Sequence, residues 1–157
     1  MAPVSIAPIA VALLAVLLLA AGIEDARHRT IGHAKVLGII ALAPLFWWSV
    51  GLQPWPDMAI QLGIGLGVLT FFLLPFAFGW MAAGDVKLLA ALALWLPAGL
   101  LLPALQLVAL AGGAVTLPFW IMRRRRREQG PVEVPYGVAI AIGGLLILRE
   151  PIINHFG

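Results

Sequence analysis

Long apolar runs separated by short polar segments make up most of the chain. The first run holds about 20 residues, enough to cross a hydrocarbon core of roughly 30 Å as a helix. With 62% hydrophobic and 11% charged residues, the sequence lies far outside the range of soluble domains. We predict an all-α, polytopic protein of the lipid bilayer, with residues 1–157 forming a single integral-membrane domain. Its six predicted transmembrane helices are Val4–Ile23, Val36–Leu52, Met58–Phe78, Val86–Leu96, Leu100–Met122 and Pro135–Leu148.

The fourth run is too short to cross a full bilayer. It contains eleven residues before Pro97, which gives roughly 16 Å of helix at 1.5 Å per residue. Either the helix begins upstream near Met81, or Asp85 lies below the membrane surface in a protein-lined cavity. Because irregular backbone at membrane depth is tolerated only where it is buried or lines water, we expect a recessed Asp85.

The distribution of basic residues predicts the orientation. With six spans, one side collects nine of the ten Lys and Arg residues, and only Arg149 falls on the other. By the positive-inside rule that side is cytoplasmic, so both termini are predicted to lie outside. At the opposite end of the second run, three tryptophans are typical of an interfacial aromatic belt. The nine basic residues are Arg27, Arg29, Lys35, Lys87 and Arg123–Arg127, and the tryptophans are Trp47, Trp48 and Trp55.

Composition also excludes several kinds of site. The chain has no cysteine, so disulfides, thiolate metal sites and cysteine nucleophiles are excluded. The net charge of +3 reflects one arginine cluster, and charge is sparse elsewhere, which argues against a nucleic-acid partner. His28 and His33 lie five positions apart beside Asp25, but a metal site there lacks further ligands. We predict no metal and no cofactor.

Two carboxylates are the candidates for chemistry. Asp25 and Asp85 each stand at the end of an apolar run, where an ionisable residue is a functional-site candidate. Two carboxylates brought together hold one proton between them. Such a pair can hydrolyse a peptide, because the ionised member activates water and the protonated member polarises the carbonyl. For either residue alone, a plain interfacial charge stays an open alternative.

The other carboxylates are more simply explained as surface charges. Glu24 also lies at a cytoplasmic helix end, whereas the remaining four lie in loops or at the outer end of the last run. These four are Asp57, Glu128, Glu133 and Glu150.

Three segments, in order, resemble the motifs of the type IV prepilin peptidases, which are GxGD-type intramembrane aspartyl proteases. Residues 25–31 (DARHRTI) resemble the first aspartate motif, and residues 82–88 (AAGDVKL) resemble the GxGD motif. Residues 134–140 (VPYGVAI) resemble the Pro-Tyr-Gly segment. Gly32-His33 replaces the usual Pro-Asn, and Ala82 replaces the first glycine of GxGD. The longer family members carry a cytoplasmic insertion with paired cysteines and N-methylate the new amino terminus. This chain has neither the insertion nor a cysteine.

The resemblance implies roles for individual residues. Asp25 and Asp85 are the expected catalytic pair, and Gly84 is expected to give the substrate strand room. Lys87 is expected to tune the pair or to bind a carboxylate, although an interfacial anchor is an equal alternative. Pro135, Tyr136 and Gly137 are expected to line the site, although helix initiation explains the proline as well.

The implied substrates are prepilin or pseudopilin precursors, of the Flp (tight-adherence) or type II secretion kind. They have a basic leader, which is removed at the cytoplasmic face of the inner membrane. The alternative is a non-enzymatic membrane subunit, either a proton relay or a pilus-assembly scaffold. A relay would be expected to place ionisable groups at several depths, whereas every candidate here lies at one face, which favours the protease. A third possibility is an inactive relative that binds pilins without cutting them. Only a cleavage assay distinguishes it from the protease.

Overall fold

A computed structural model describes residues 6–126 and 134–148. Within these residues the secondary structure is helical, which confirms the all-α prediction. The six α-helices are α1 (Ile6–His28), α2 (His33–Ser49), α3 (Ala59–Ala77), α4 (Ala83–Ala93), α5 (Ala98–Arg126) and α6 (Tyr136–Ile147). Arg127, Glu128, Glu133, Arg149, Glu150 and both chain ends lie outside the described residues.

Three of the described helices have the length and apolarity needed to cross a membrane: α1, α3 with the turn before it, and α5. α2 and α6 are shorter apolar helices, and α4 has only 11 residues. The structure therefore gives six helices, while the six crossings and the side on which the termini lie stay predictions.

The first helix extends beyond its apolar run. We predicted an end at Ile23, but the helix continues through Glu24 and Asp25 to His28. It ends where Arg29 adopts a left-handed conformation, with φ of 55°. Asp25 is thus a helical residue, with a fixed direction relative to the apolar stripe that precedes it.

The short helix α4 lies at the centre of the bundle. It packs against α2, α3 and α6, and every residue from Leu88 to Leu96 is buried. The helix begins at Ala83, which lies upstream of the predicted Val86 and close to Met81. Asp85 is buried in its first turn, and its depth relative to the membrane surface stays a prediction.

Buried side chains satisfy the backbone where α4 ends. The last carbonyls of a helix lack intrahelical partners, and burying them unpaired is costly. Gln61 of α3 donates from Nε2 to the carbonyl oxygens of Leu94 and Leu96, each at 3.1 Å. Trp47 of α2 donates from Nε1 to the Leu94 oxygen at 2.8 Å. These bonds allow α4 to end inside the protein.

This role corrects the prediction for one of the three tryptophans. Trp48 and Trp55 are 74% and 80% exposed, as an interfacial belt requires, but Trp47 is only 3% exposed. Its indole lies among the helices, where its N–H finds a carbonyl acceptor.

Glycines allow close approach of the helices around α6. A methyl group at Gly22 of α1 would lie 2.8 Å from the Cβ of Ala141, and one at Gly143 would lie 2.6 Å from Cγ2 of Val108 in α5. Small residues at such contacts let membrane helices pack tightly. α6 is therefore held against both α1 and α5, and its first turn reaches the end of α1 that carries Asp25.

Candidate active site

Asp25 continues the inward-facing stripe of α1. Leu14, Leu18 and Ala21 are buried at helical spacing, and Asp25 follows four positions later, 4% exposed. The same periodicity that buries the apolar side chains therefore turns this carboxylate into the protein.

Asp85 is placed by the start of α4. Ala82 is the residue before the helix, and the N–H of Asp85 donates to the Ala82 oxygen at 3.1 Å. The carboxylate is 3% exposed, and the backbone N–H of Ala82 faces it. A negative charge in the first turn of a helix is favoured by the helix dipole.

The two aspartates line one cavity of about 420 Å³. Their carboxylates are close enough to interact electrostatically, although sixty positions separate them in the chain. The structure thus brings together the two residues that the sequence singled out. The cavity is also lined by Glu24, Ala82, Gly84 and the turn 29–33.

The backbone of Gly137, at the start of α6, lies close to both carboxylates. Its N–H faces both Asp25 and Asp85, and the N–H of Val138 also faces Asp25. A methyl group at Gly137 would lie only 2.8 Å from Oδ2 of Asp25. That oxygen is buried and makes no hydrogen bond of ordinary geometry within the described residues, so it retains capacity to accept a proton.

The turn between α1 and α2 is held against α4 at Gly84. A methyl group at Gly84 would lie 3.3 Å from the Cβ of Ile31. The predicted reason for this glycine was room for a substrate strand. What the structure shows beside Gly84 is the protein's own turn, whose close approach closes one wall of the cavity.

Glu24 fixes this turn, a role beyond the surface charge predicted for it from the sequence. Its Oε2 accepts from the backbone N–H of Gly32 at 2.8 Å and from Nζ of Lys35 at 2.7 Å. Partners eight and eleven positions away cannot be read from the sequence, since they meet only through the geometry of the turn. The motif that begins at Asp25 contains Ile31, but nothing in it indicates the contact with Gly84.

The remaining predicted site residues lie outside the cavity of the aspartates. Pro135 is buried at the start of α6 and Tyr136 is half-buried; the ring of Tyr136 packs beside Gly112 of α5. Lys87 is exposed and lines a second cavity, between α2, α3 and α4. Of the predicted supporting residues, Gly84 and Gly137 are the ones next to the aspartate pair.

Comparison with known proteins bears on the same residues. Searches of curated proteins and of solved structures each gave no significant match. The sequence model of the type IV leader peptidase family matches residues 12–117, which is more than half of the chain. The match includes Asp25 and Asp85 and ends before Pro135. It agrees with the resemblance seen in the motifs, and the chain belongs to the type IV leader peptidase family.

Proposed function

We propose that this protein is an aspartyl endopeptidase that removes the basic leader from prepilin-like precursors. Asp25 and Asp85 are its catalytic pair. The observation that carries the proposal is the burial of both carboxylates in one cavity, with the Gly137 backbone close to both. Membership of a peptidase family supports it independently.

The proposed reaction uses the two carboxylates in opposite protonation states. The ionised aspartate takes a proton from water as the water oxygen bonds to the scissile carbonyl carbon. The protonated aspartate donates a hydrogen bond to the carbonyl oxygen and stabilises the tetrahedral intermediate. Collapse of this intermediate breaks the C–N bond, and a proton passes to the leaving amine. The products are the leader with a new carboxyl terminus and the mature protein with a new amino terminus.

The substrates we propose are small membrane precursors, either Flp-type prepilins or pseudopilins. Their basic leader precedes an apolar stem, and the cut falls between the two. We propose that the protein lies in the inner membrane with six crossings, one integral-membrane domain, both termini outside and the aspartates at the cytoplasmic face. The clustering of Lys and Arg in the polar segments of that face supports this orientation.

The non-enzymatic alternative has less support. A proton relay needs ionisable groups at successive depths in the protein. Among the described residues, Asp25 and Asp85 are the buried charged side chains, and they lie in the same cavity. The one other buried polar side chain in that part of the chain, Gln61, is not ionisable and bonds the end of α4.

Co-expression with a candidate precursor from the same genome tests the proposal. We expect the precursor to shift to a smaller mass in membranes that contain the parent protein. Sequencing of the new amino terminus should place the cut between the basic leader and the apolar stem. A variant with both Asp25→Asn and Asp85→Asn is the control. If the precursor stays intact with the parent protein, or is cut equally by the double variant, the proposed function is wrong.

A further inference from the structure

A second cavity, of about 500 Å³, opens between α2, α3 and α4. Such a volume is in the range of roughly 300–1,000 Å³ typical of ligand pockets. Apart from one histidine and one lysine, its lining side chains are apolar or glycine. The groove is open at the side, because Leu37 and Leu66 on its two walls are each 62% exposed. Its lining includes His33, Leu37 and Ile40 of α2, Leu62 and Leu66 of α3, and Lys87 of α4.

The groove and the cavity of the aspartates share one lining residue and adjoin near the start of α4. His33 lines both. On α4, Asp85 belongs to the aspartate cavity and Lys87, two positions further, belongs to the groove. The polar end of the groove is therefore the end next to the carboxylates. From there the groove follows α4 and is apolar along the rest of its length.

We propose that this groove binds the apolar stem of the precursor, on the carboxyl side of the scissile bond. The proposal rests on the proposed function, since it assigns a subsite to that peptidase. A helix about 10–12 Å across is too wide to be enclosed here. The groove instead takes the side chains along one face of an apolar helix, as in other helix-in-groove complexes.

Charge complementarity favours the stem over the leader as the occupant. The aspartate cavity is lined by the carboxylates of Glu24, Asp25 and Asp85 and also by Arg29, and Glu24 is already paired with Lys35. The groove, by contrast, is lined by Lys87 and no carboxylate, so it repels a basic leader, and its apolar walls suit an apolar stem. A substrate that is basic before the cut and apolar after it therefore fits in one direction only, which places the scissile bond beside the aspartates.

Photo-crosslinking tests the occupant directly. Leu66 is replaced by p-benzoylphenylalanine in an Asp85→Asn background, so that a bound precursor stays intact. Leu74, on the same helix, 61% exposed and outside the groove lining, receives the same replacement as a matched control. Irradiation of membranes that contain a precursor should give a precursor adduct at position 66 and none at 74. If position 66 yields only lipid adducts, or no adduct, the proposal is overturned.

Cleavage kinetics test the same groove with a second readout. Leu37→Trp and Leu66→Trp should obstruct the groove, and Leu45→Trp and Leu74→Trp are the controls on the same helices. For a stem-bearing precursor we expect the groove variants to raise KM about tenfold with little change in kcat. For a peptide substrate that ends a few residues after the cut, the KM values of the groove variants should equal those of the controls. Equal KM values for groove and control variants on the stem-bearing precursor would overturn the proposal.

The two experiments separate failure of the groove from failure of the proposed function. If the parent protein cleaves the precursor but position 66 gives no precursor adduct, the groove proposal falls and the peptidase stands. If the parent protein cleaves nothing while the adduct forms at position 66 alone, the groove stands as a stem-binding site and the peptidase falls.

Discussion

At the residue scale, the site depends on a position that has no side chain. Gly137 brings its backbone N–H to both carboxylates, and a methyl group there would overlap Asp25 and Ile31. Gly137 therefore contributes a backbone N–H donor and leaves free the space that a side chain would occupy. Motif resemblance could indicate this glycine, but the reason for it becomes visible only when α6 is packed against α1.

Gly137→Ala should remove most activity, because the added methyl group displaces Asp25 from its partner. A displacement of about 1 Å at a catalytic group can cost on the order of a hundredfold in rate. Gly112→Ala is the control, since its methyl group would meet Ala139 at an ordinary 3.7 Å. Precursor cleavage by the two purified variants provides the measurement, and equal rates would contradict the proposed role of Gly137.

Glu24 should act through its hydrogen bonds more than through its charge. Glu24→Gln keeps an acceptor oxygen for Gly32. The ion pair with Lys35 is partly open to solvent, and such pairs contribute little. We expect Glu24→Gln to cleave within about twofold of the parent rate. Glu24→Ala removes the acceptor and should be slower, because the turn carrying Ile31 loses its anchor. A Gln variant as slow as the Ala variant would show that the charge itself is required.

Sequence reasoning found the two aspartates because each interrupts an apolar run, and it found Gly84 and Gly137 through motif resemblance. It assigned Lys87 and Tyr136 to the same site, yet the structure gives them other neighbours. Proximity in sequence does not settle proximity in space on a helix: Asp85 and Lys87, two positions apart, face different cavities.

At the scale of elements, α4 shows how an eleven-residue helix can end within the protein. Its length and its apolar character could be predicted, as could the burial of Asp85. The partners of its last carbonyls could not, because Trp47 and Gln61 reach them across 47 and 33 positions. From the sequence, a tryptophan near the end of an apolar run is predicted to lie at the membrane interface. That prediction is the same whether its indole faces lipid or donates to a buried carbonyl.

Gln61→Leu should destabilise the protein. The change keeps the approximate shape but removes the donor to the oxygens of Leu94 and Leu96, which is expected to cost about 1–3 kcal/mol. The midpoint of thermal unfolding in detergent should fall by several degrees. Gln106→Leu, at an exposed position of α5, is the matched control and should leave the midpoint unchanged. No difference between the two variants would show that Gln61 does not stabilise the end of α4.

At the scale of the whole molecule, the number of helices and the way they pack together have different origins. The apolar runs predict the count well, since each run yields one helix. They do not predict that α6 packs between α1 and α5, which follows from contacts at Gly22 and Gly143. Without that packing Gly137 could not reach the aspartates, so the complete site could not be derived from the sequence pattern.

The orientation in the membrane is testable with reporter fusions. Fusions near Arg29 and after Arg127 should be cytoplasmic, and fusions at Asp57 and after Gly157 should be external, because the basic residues cluster on one side. A cytoplasmic reporter after Gly157 would overturn the six crossings. It would mean that one of the shorter helices, such as α4 or α6, does not cross the membrane.

The most direct test of the catalytic pair is precursor cleavage by Asp25→Asn and Asp85→Asn, each made singly. Asparagine keeps the shape of aspartate but can neither take nor supply the catalytic proton. Each variant should therefore accumulate in the membrane like the parent and cleave slower by about a thousandfold or more. Asp57 lies in the turn before α3, where its Oδ2 accepts from the backbone N–H of Gln53, and Asp57→Asn should cleave like the parent. Normal cleavage by either the Asp25 or the Asp85 variant would contradict the assignment of these two residues as a catalytic pair.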